Sequence, residues 1–128
     1  MRRAVLFDAY PHVYGGAQRT DHLLARELPE RGWALLTVVP ADGPFPERLR
    51  DEGHAVEVVP VPRPLRRYGR ATTGPARALA VLALPAYWLR LLRRLRAARP
   101  EVVHVVDHRG LVLAGVAARL SGARVHLV

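Results

Sequence analysis

Residues 4–18 read Ala4-Val5-Leu6-Phe7-Asp8-Ala9-Tyr10-Pro11-His12-Val13-Tyr14-Gly15-Gly16-Ala17-Gln18. The first part is a short, unbroken apolar run ending at Asp8, as expected of a central parallel strand covered on both faces. Tyr14-Gly15-Gly16-Ala17 then leads into a helical pattern that continues to about Arg31 and stops at Gly32. A strand that feeds a glycine turn and then a helix opens a parallel α/β sheet. Two glycines leave no Cβ in the way of a ligand. The helix behind them aims unpaired N–H groups at whatever occupies the turn, a place suited to a phosphate or a sugar oxygen. A plainer reading, a tight turn and nothing more, fits the same spacing equally well.

Outward from this unit the alternation repeats. In the first helix, Ala17 to Arg31, the spacing places Thr20, Leu23, Leu24 and Leu28 toward the sheet and Arg19, Arg26, Glu27 and Glu30 away from it. Ala34 to Val39 reads as the second strand, ended by Pro40. Asp42-Gly43-Pro44 is a turn cluster, Pro46 to Glu52 a short helix, and Ala55 to Val59 the third strand. Pro60 to Gly74, rich in proline and arginine, reads as a surface loop. Pro75 to Arg99 is the longest helical pattern. Val102 to Val106 is the fourth strand, Asp107 to Gly110 a loop, Leu111 to Leu120 a helix, and Arg124 to Val128 the fifth strand. The expectation is an α/β fold: a doubly wound, Rossmann-like parallel sheet of order 3-2-1-4-5, helices on both faces, in one domain over residues 1–128.

Open sheets of this kind bind ligands beyond the carboxyl ends of the strands, where the strand order switches. For this order the switch lies between the first and fourth strands. The loops there carry Gly15 and Gly16 on one side and Asp107, His108 and Arg109 on the other, so the two clusters are expected to face one another across a crevice. His108 also reads as a plain solvent-facing loop histidine. Asp8 reads as a base or as a turn acid. His104 and His108 are four apart, but on a strand and its loop rather than on a helix, so no metal site is expected from them. His104 is expected to be a satisfied histidine in the core flanking the sheet. Gly-x-Gly-x-x-Gly is absent, and the third strand ends in Val59-Pro60 rather than in an aspartate. Those features argue against a dinucleotide fold and a receiver domain.

Composition narrows the chemistry. The 128 residues contain no cysteine, which removes disulfides, thiolate zinc sites and a Cys nucleophile. All 20 basic residues are arginine, which excludes a Walker lysine and a Schiff-base lysine. A formal charge of +9 attracts polyanions and anionic headgroups. Met1-Arg2-Arg3 lacks the apolar region of a signal peptide, so a cytoplasmic protein is expected. The long helix has an uncharged apolar run from Ala78 to Leu89, shorter than the ~20 residues a bilayer requires, followed by Arg90, Arg93, Arg94, Arg96 and Arg99. That arginine-rich end has three readings. It is a solvated face; or it lies on the inner face of an anionic membrane, with Tyr87 and Trp88 near the headgroups and Leu89, Leu92 and Leu95 dipping inward; or it grips nucleic acid, for which no recognised motif is present.

Three segments together carry a resemblance. They are Gly15-Gly16-Ala17-Gln18 with Leu24-Ala25-Arg26-Glu27-Leu28 and Arg31-Gly32; Gly53-His54-Ala55-Val56; and Pro100-Glu101-Val102-Val103-His104-Val105-Val106-Asp107. In order and spacing the chain resembles the N-terminal domain of retaining glycosyltransferases of family 4, which have the two-domain GT-B fold. The resemblance implies transfer of a sugar from a nucleotide-sugar donor, a substrate rather than a cofactor, to a small-molecule, glycan or lipid acceptor. It implies that Gly15 and Gly16 approach the donor phosphates, and that Asp107, His108 and Arg109 line the acceptor side. Many members carry His-x-His in the fourth-strand segment; here the second histidine's position is Val106, with Asp107 and His108 just after. It further implies that the donor-binding C-terminal domain lies outside these 128 residues, so that the chain alone is an incomplete catalyst. The alternative is a non-enzymatic basic module that binds an anionic membrane or polyanion.

Overall fold

A computed structural model describes residues 2–62 and 74–127. The elements are β1 (Arg2–Phe7), α1 (Gly16–Glu30), β2 (Trp33–Val39), α2 (Pro44–Asp51), β3 (Ala55–Val58), α3 (Gly74–Ala98), β4 (Val102–Val105), α4 (Asp107–Leu120) and β5 (Arg124–Leu127). The strands form one sheet of order β3-β2-β1-β4-β5, and every neighbouring pair is parallel. This is the doubly wound, Rossmann-like order expected. The register sets Phe7 opposite Val38 on one side and Val105 on the other, so β1 ends level with β4 and one residue short of the end of β2. The loop expected over Pro60 to Gly74 lies almost wholly outside the described residues.

Strand alternation divides the core between the two faces. On one face Val5, Phe7, Val38, Val103 and Val105 pack against Tyr87, Leu91 and Leu95 of α3 and Leu113, Ala114 and Ala117 of α4. On the other, Val39 packs with Ala25 of α1 and with Phe45 and Leu49 of α2. Removing a side chain such as Phe7, Phe45 or Leu49 from water stabilises the fold by roughly 1.5–3 kcal/mol each. Tyr87 is fully buried, and its hydroxyl donates to the Val59 carbonyl at 3.0 Å.

Three expectations are corrected. First, the buried stripe of α1 is Gln18, Asp21, His22 and Ala25, while Leu23 and Thr20 are exposed and Leu24 and Leu28 only half-buried. The helix is rotated because its polar residues find polar partners inside, which the apolar pattern alone does not register. Second, Asp107, His108 and Arg109 are not a loop but the first turn of α4, with Asp107 at φ 67°. Third, the membrane face drawn for α3 does not exist in that form. Tyr87, Leu92 and Leu95 are core residues, and the Trp88 indole donates to the Val112 carbonyl of α4 at 2.9 Å. Arg94 pairs with Glu57 on β3, and Arg90 donates to the Pro60 carbonyl at 3.0 Å. By length and composition α3 is apolar enough to cross a bilayer, yet its second half is packed on the sheet.

His104 is likewise not a histidine enclosed by core. It is half-buried, and its Nδ1 lies 2.9 Å from Nδ1 of His126, its register partner on β5. Burial, and then the His126 ring, hold its pKa below the ordinary imidazole value.

Candidate functional site

The top of the sheet is built from the end of β1 outward. Asp8 follows the last residue of the strand and is fully buried. One of its carboxyl oxygens accepts the Tyr10 N–H at 2.7 Å, which turns the chain sharply after the strand. The other accepts from Gln18 Nε2 at 3.2 Å. Gln18 Oε1 in turn accepts the Gly15 N–H at 3.1 Å. One buried side chain of α1 thus joins the acid at the strand end to the glycine turn that precedes the helix. Asp21 stands one turn further along α1, also buried. Desolvation, and then the adjacent Asp8, push its carboxyl well above the usual carboxylate range.

Gly15 is the residue before the first helical turn, at φ −100°, and Gly16 opens the helix. Neither takes a left-handed φ. A Cβ built on Gly16 meets nothing within 4 Å, and one on Gly15 meets only ordinary contacts at 3.6 Å. Folding therefore gives no steric reason for glycine at position 16. A Cβ on Gly16 would project into open space beside the first turn of α1, whose leading N–H groups have no partner inside the helix.

The β1–α1 loop does meet the start of α4, through Tyr10. Burial, and then the Asp107 carboxyl facing it, push the Tyr10 phenol above its ordinary value, with Arg109 near enough to act in the opposite sense. Beside them lies a hollow of about 530 Å³, lined by Tyr10, Pro11, His12 and Val13 of that loop, by Pro40 to Asp42 after β2, by Val58, Pro60 and Val61 at the end of β3, and by Arg109. Its size suits a small ligand. Arg109 thus joins the hollow, whereas Gly15, Gly16, Asp107 and His108 lie outside its lining, and His108 is exposed.

Tyr10, Gln18 and Asp21 were missed in the sequence. For Gln18 a signal exists: a glutamine three residues after the cap position is the capping-box spacing. For Asp21 none does, since a lone aspartate in a helix reads as exposed.

A family model described as a glycosyl transferase 4-like domain matches residues 15–128. A search of curated proteins returned no match. Among solved structures, MurG of Acinetobacter baumannii is similar at a TM-score of 0.73 and 15% identity, over 99% of this chain and 34% of that one. HepE of Anabaena in complex with UDP and glucose is similar at a TM-score of 0.67 and 17% identity, over 99% of this chain and 29% of that one. The C-terminal domain of a hydrogenase from Pyrococcus furiosus reaches a TM-score of 0.62 at 13% identity, over 99% of this chain and 91% of that one. Identities this low show the fold alone, and its occurrence in a hydrogenase makes the point. The chain spans about a third of the length of MurG and HepE.

Proposed function

This chain belongs to the glycosyl transferase 4-like domain family, and from that premise we propose that it is the N-terminal, acceptor-side domain of an enzyme that moves a sugar from a nucleotide-sugar donor to an acceptor. One observation supports the reading most: Gly16 opens α1 at a point where neither backbone angle nor packing asks for glycine, and a Cβ there would project into open space. A diphosphate or sugar oxygen placed there gains N–H donors and the favourable end of the helix dipole. HepE has been solved with UDP-glucose, which fits a donor of that class. On the acceptor side stand Arg109 in the hollow and Asp107 and His108 in the same helical turn.

Stabilising the leaving diphosphate takes cationic groups. They come from the donor-side domain that completes enzymes of this architecture. The test is transfer from a nucleotide sugar by the full-length enzyme, wild type against Gly16→Val. Loss of transfer with the fold retained supports the proposal; undiminished transfer removes it.

A second reading, not exclusive of the first, is favoured by α3. Leu79, Val81, Leu82 and Leu89 are exposed on it, and Arg93 and Arg96 are exposed toward its end. Apolar residues followed by arginine suit peripheral attachment to the anionic inner face of a membrane. Sedimentation with anionic vesicles at increasing salt tests it, and absence of binding at low salt discards it.

A further inference from the structure

A second polar cluster sits away from the hollow, where α1 passes the corner between α2 and β3. His22 comes from the middle of α1 and is 4% exposed. Glu52 caps the end of α2. Gly53, at φ 81°, turns the chain so that His54 comes back beside it just before β3. One ligand atom from each of His22, Glu52 and His54 can be chosen so that all lie within 4.8 Å of one another. His22 Nε2 meets Glu52 Oε2, and His54 Nε2 lies 3.8 Å from the same oxygen. Both Nε2 atoms are buried; that of His22 faces the Glu52 carboxylate, and that of His54 has no hydrogen-bond partner among the described residues. Leaving a buried ring nitrogen without a partner is costly.

The surroundings match what a metal site needs from its outer shell. His22 Nδ1 lies 2.6 Å from the Tyr14 hydroxyl, which fixes the ring and turns Nε2 toward Glu52. Arg26 holds Glu52 Oε1 at 2.7 and 3.0 Å, so that Oε2 is the oxygen turned toward the two imidazoles. The guanidinium also weakens the carboxylate's pull on a cation, so the imidazoles supply most of the ligand strength. Two imidazoles and one carboxylate, with a side open to solvent at Glu52, are the donor set of a borderline divalent ion. We infer that His22, Glu52 and His54 form a binding site for a divalent transition-metal ion, zinc by ligand type, which clips α1 to the α2–β3 corner and, through Tyr14, steadies the glycine turn.

The experiment is titration of the untagged chain with Zn²⁺ against a chromophoric chelator, with Co²⁺ absorption as a second readout of ligand type. One equivalent is expected. His22 is buried and its loss endangers the fold, so His54→Ala and Glu52→Gln carry the test, with circular dichroism to verify folding. Each should weaken binding beyond the ~10–100-fold that loss of an outer-shell partner costs, and Tyr14→Phe should weaken it about tenfold. His104→Gln with His126→Gln should leave it unchanged. Absence of stoichiometric binding overturns the inference. So does binding that survives His54→Ala and Glu52→Gln, or that disappears with the His104 and His126 changes.

Discussion

Replacing Gly16 with alanine should move stability and ligand binding in opposite directions. The new methyl group points into open space and the backbone angles already suit an L-residue. Removing a glycine restricts the unfolded chain, a gain of ~0.4–1 kcal/mol, and alanine is the better helix former by about 1 kcal/mol in a helix interior, less in a first turn. A net gain of ~0.5–1 kcal/mol raises Tm by roughly 2–6 °C for a chain of this size. Gly43→Ala is the control. Its Cβ would lie 2.4 Å from the Pro11 carbonyl oxygen, against backbone that cannot swing aside, so it should lower stability by ~1–3 kcal/mol. Thermal unfolding of the three chains reads the first half. Titration with a nucleotide sugar, in the enzyme to which the proposed function assigns this domain, reads the second: on that proposal Gly16→Ala should weaken donor binding about tenfold, or ~1.4 kcal/mol. If Gly16→Ala melts below wild type, as Gly43→Ala should, the glycine serves the fold and the ligand argument at this turn fails.

Other outcomes follow from single contacts. Tyr87→Phe strands the Val59 carbonyl inside the core and should cost about 1–3 kcal/mol in urea unfolding; a change near zero would mean water replaces the hydroxyl. Gln18→Leu removes the bridge between Asp8 and the Gly15 N–H and should cost a similar ~1–3 kcal/mol, with Gln18→Ala no better. The His104 pKa lies below its unfolded value of about 6.5, so the unfolded chain takes up more protons there. Stability is therefore full above that value and falls as the pH drops below it. Urea midpoints measured with a chelator present should fall from pH 7.5 to 5.5, and His104→Gln should shallow that decline; an identical decline in the variant would place the titration elsewhere.

The strands and their order were legible because buried parallel strands are near-continuous apolar runs: Ala4 to Phe7 is unbroken, Ala34 to Val39 is interrupted only by Thr37, and Val102 to Val105 only by His104. The face of α1 was not. Its leucines suggested one side, but Gln18, Asp21 and His22 are buried because Asp8 at the end of β1, Tyr14 before the helix and Glu52 at the end of α2 are placed to meet them. Those partners belong to other elements, and no helical period reports them. The start of α4 was hidden for a local reason: Asp107 takes a left-handed φ that aspartate tolerates better than most residues, so the helix begins directly after the strand. Of the three residues expected after β4, Arg109 lines the hollow, while Tyr10, which links the β1–α1 loop to the start of α4, gave no sign in its spacing. The cluster of His22, Glu52 and His54 needed the α2–β3 corner to bring distant residues together.

The link from Asp8 through Gln18 to Gly15 also bears on how a ligand is received. A bare glycine pair is the floppiest dipeptide a chain can offer, and a guest that had to still it would lose affinity in doing so. Here the stilling happens during folding, at the expense of the core's own polar contacts. A guest at this turn meets a seat already set.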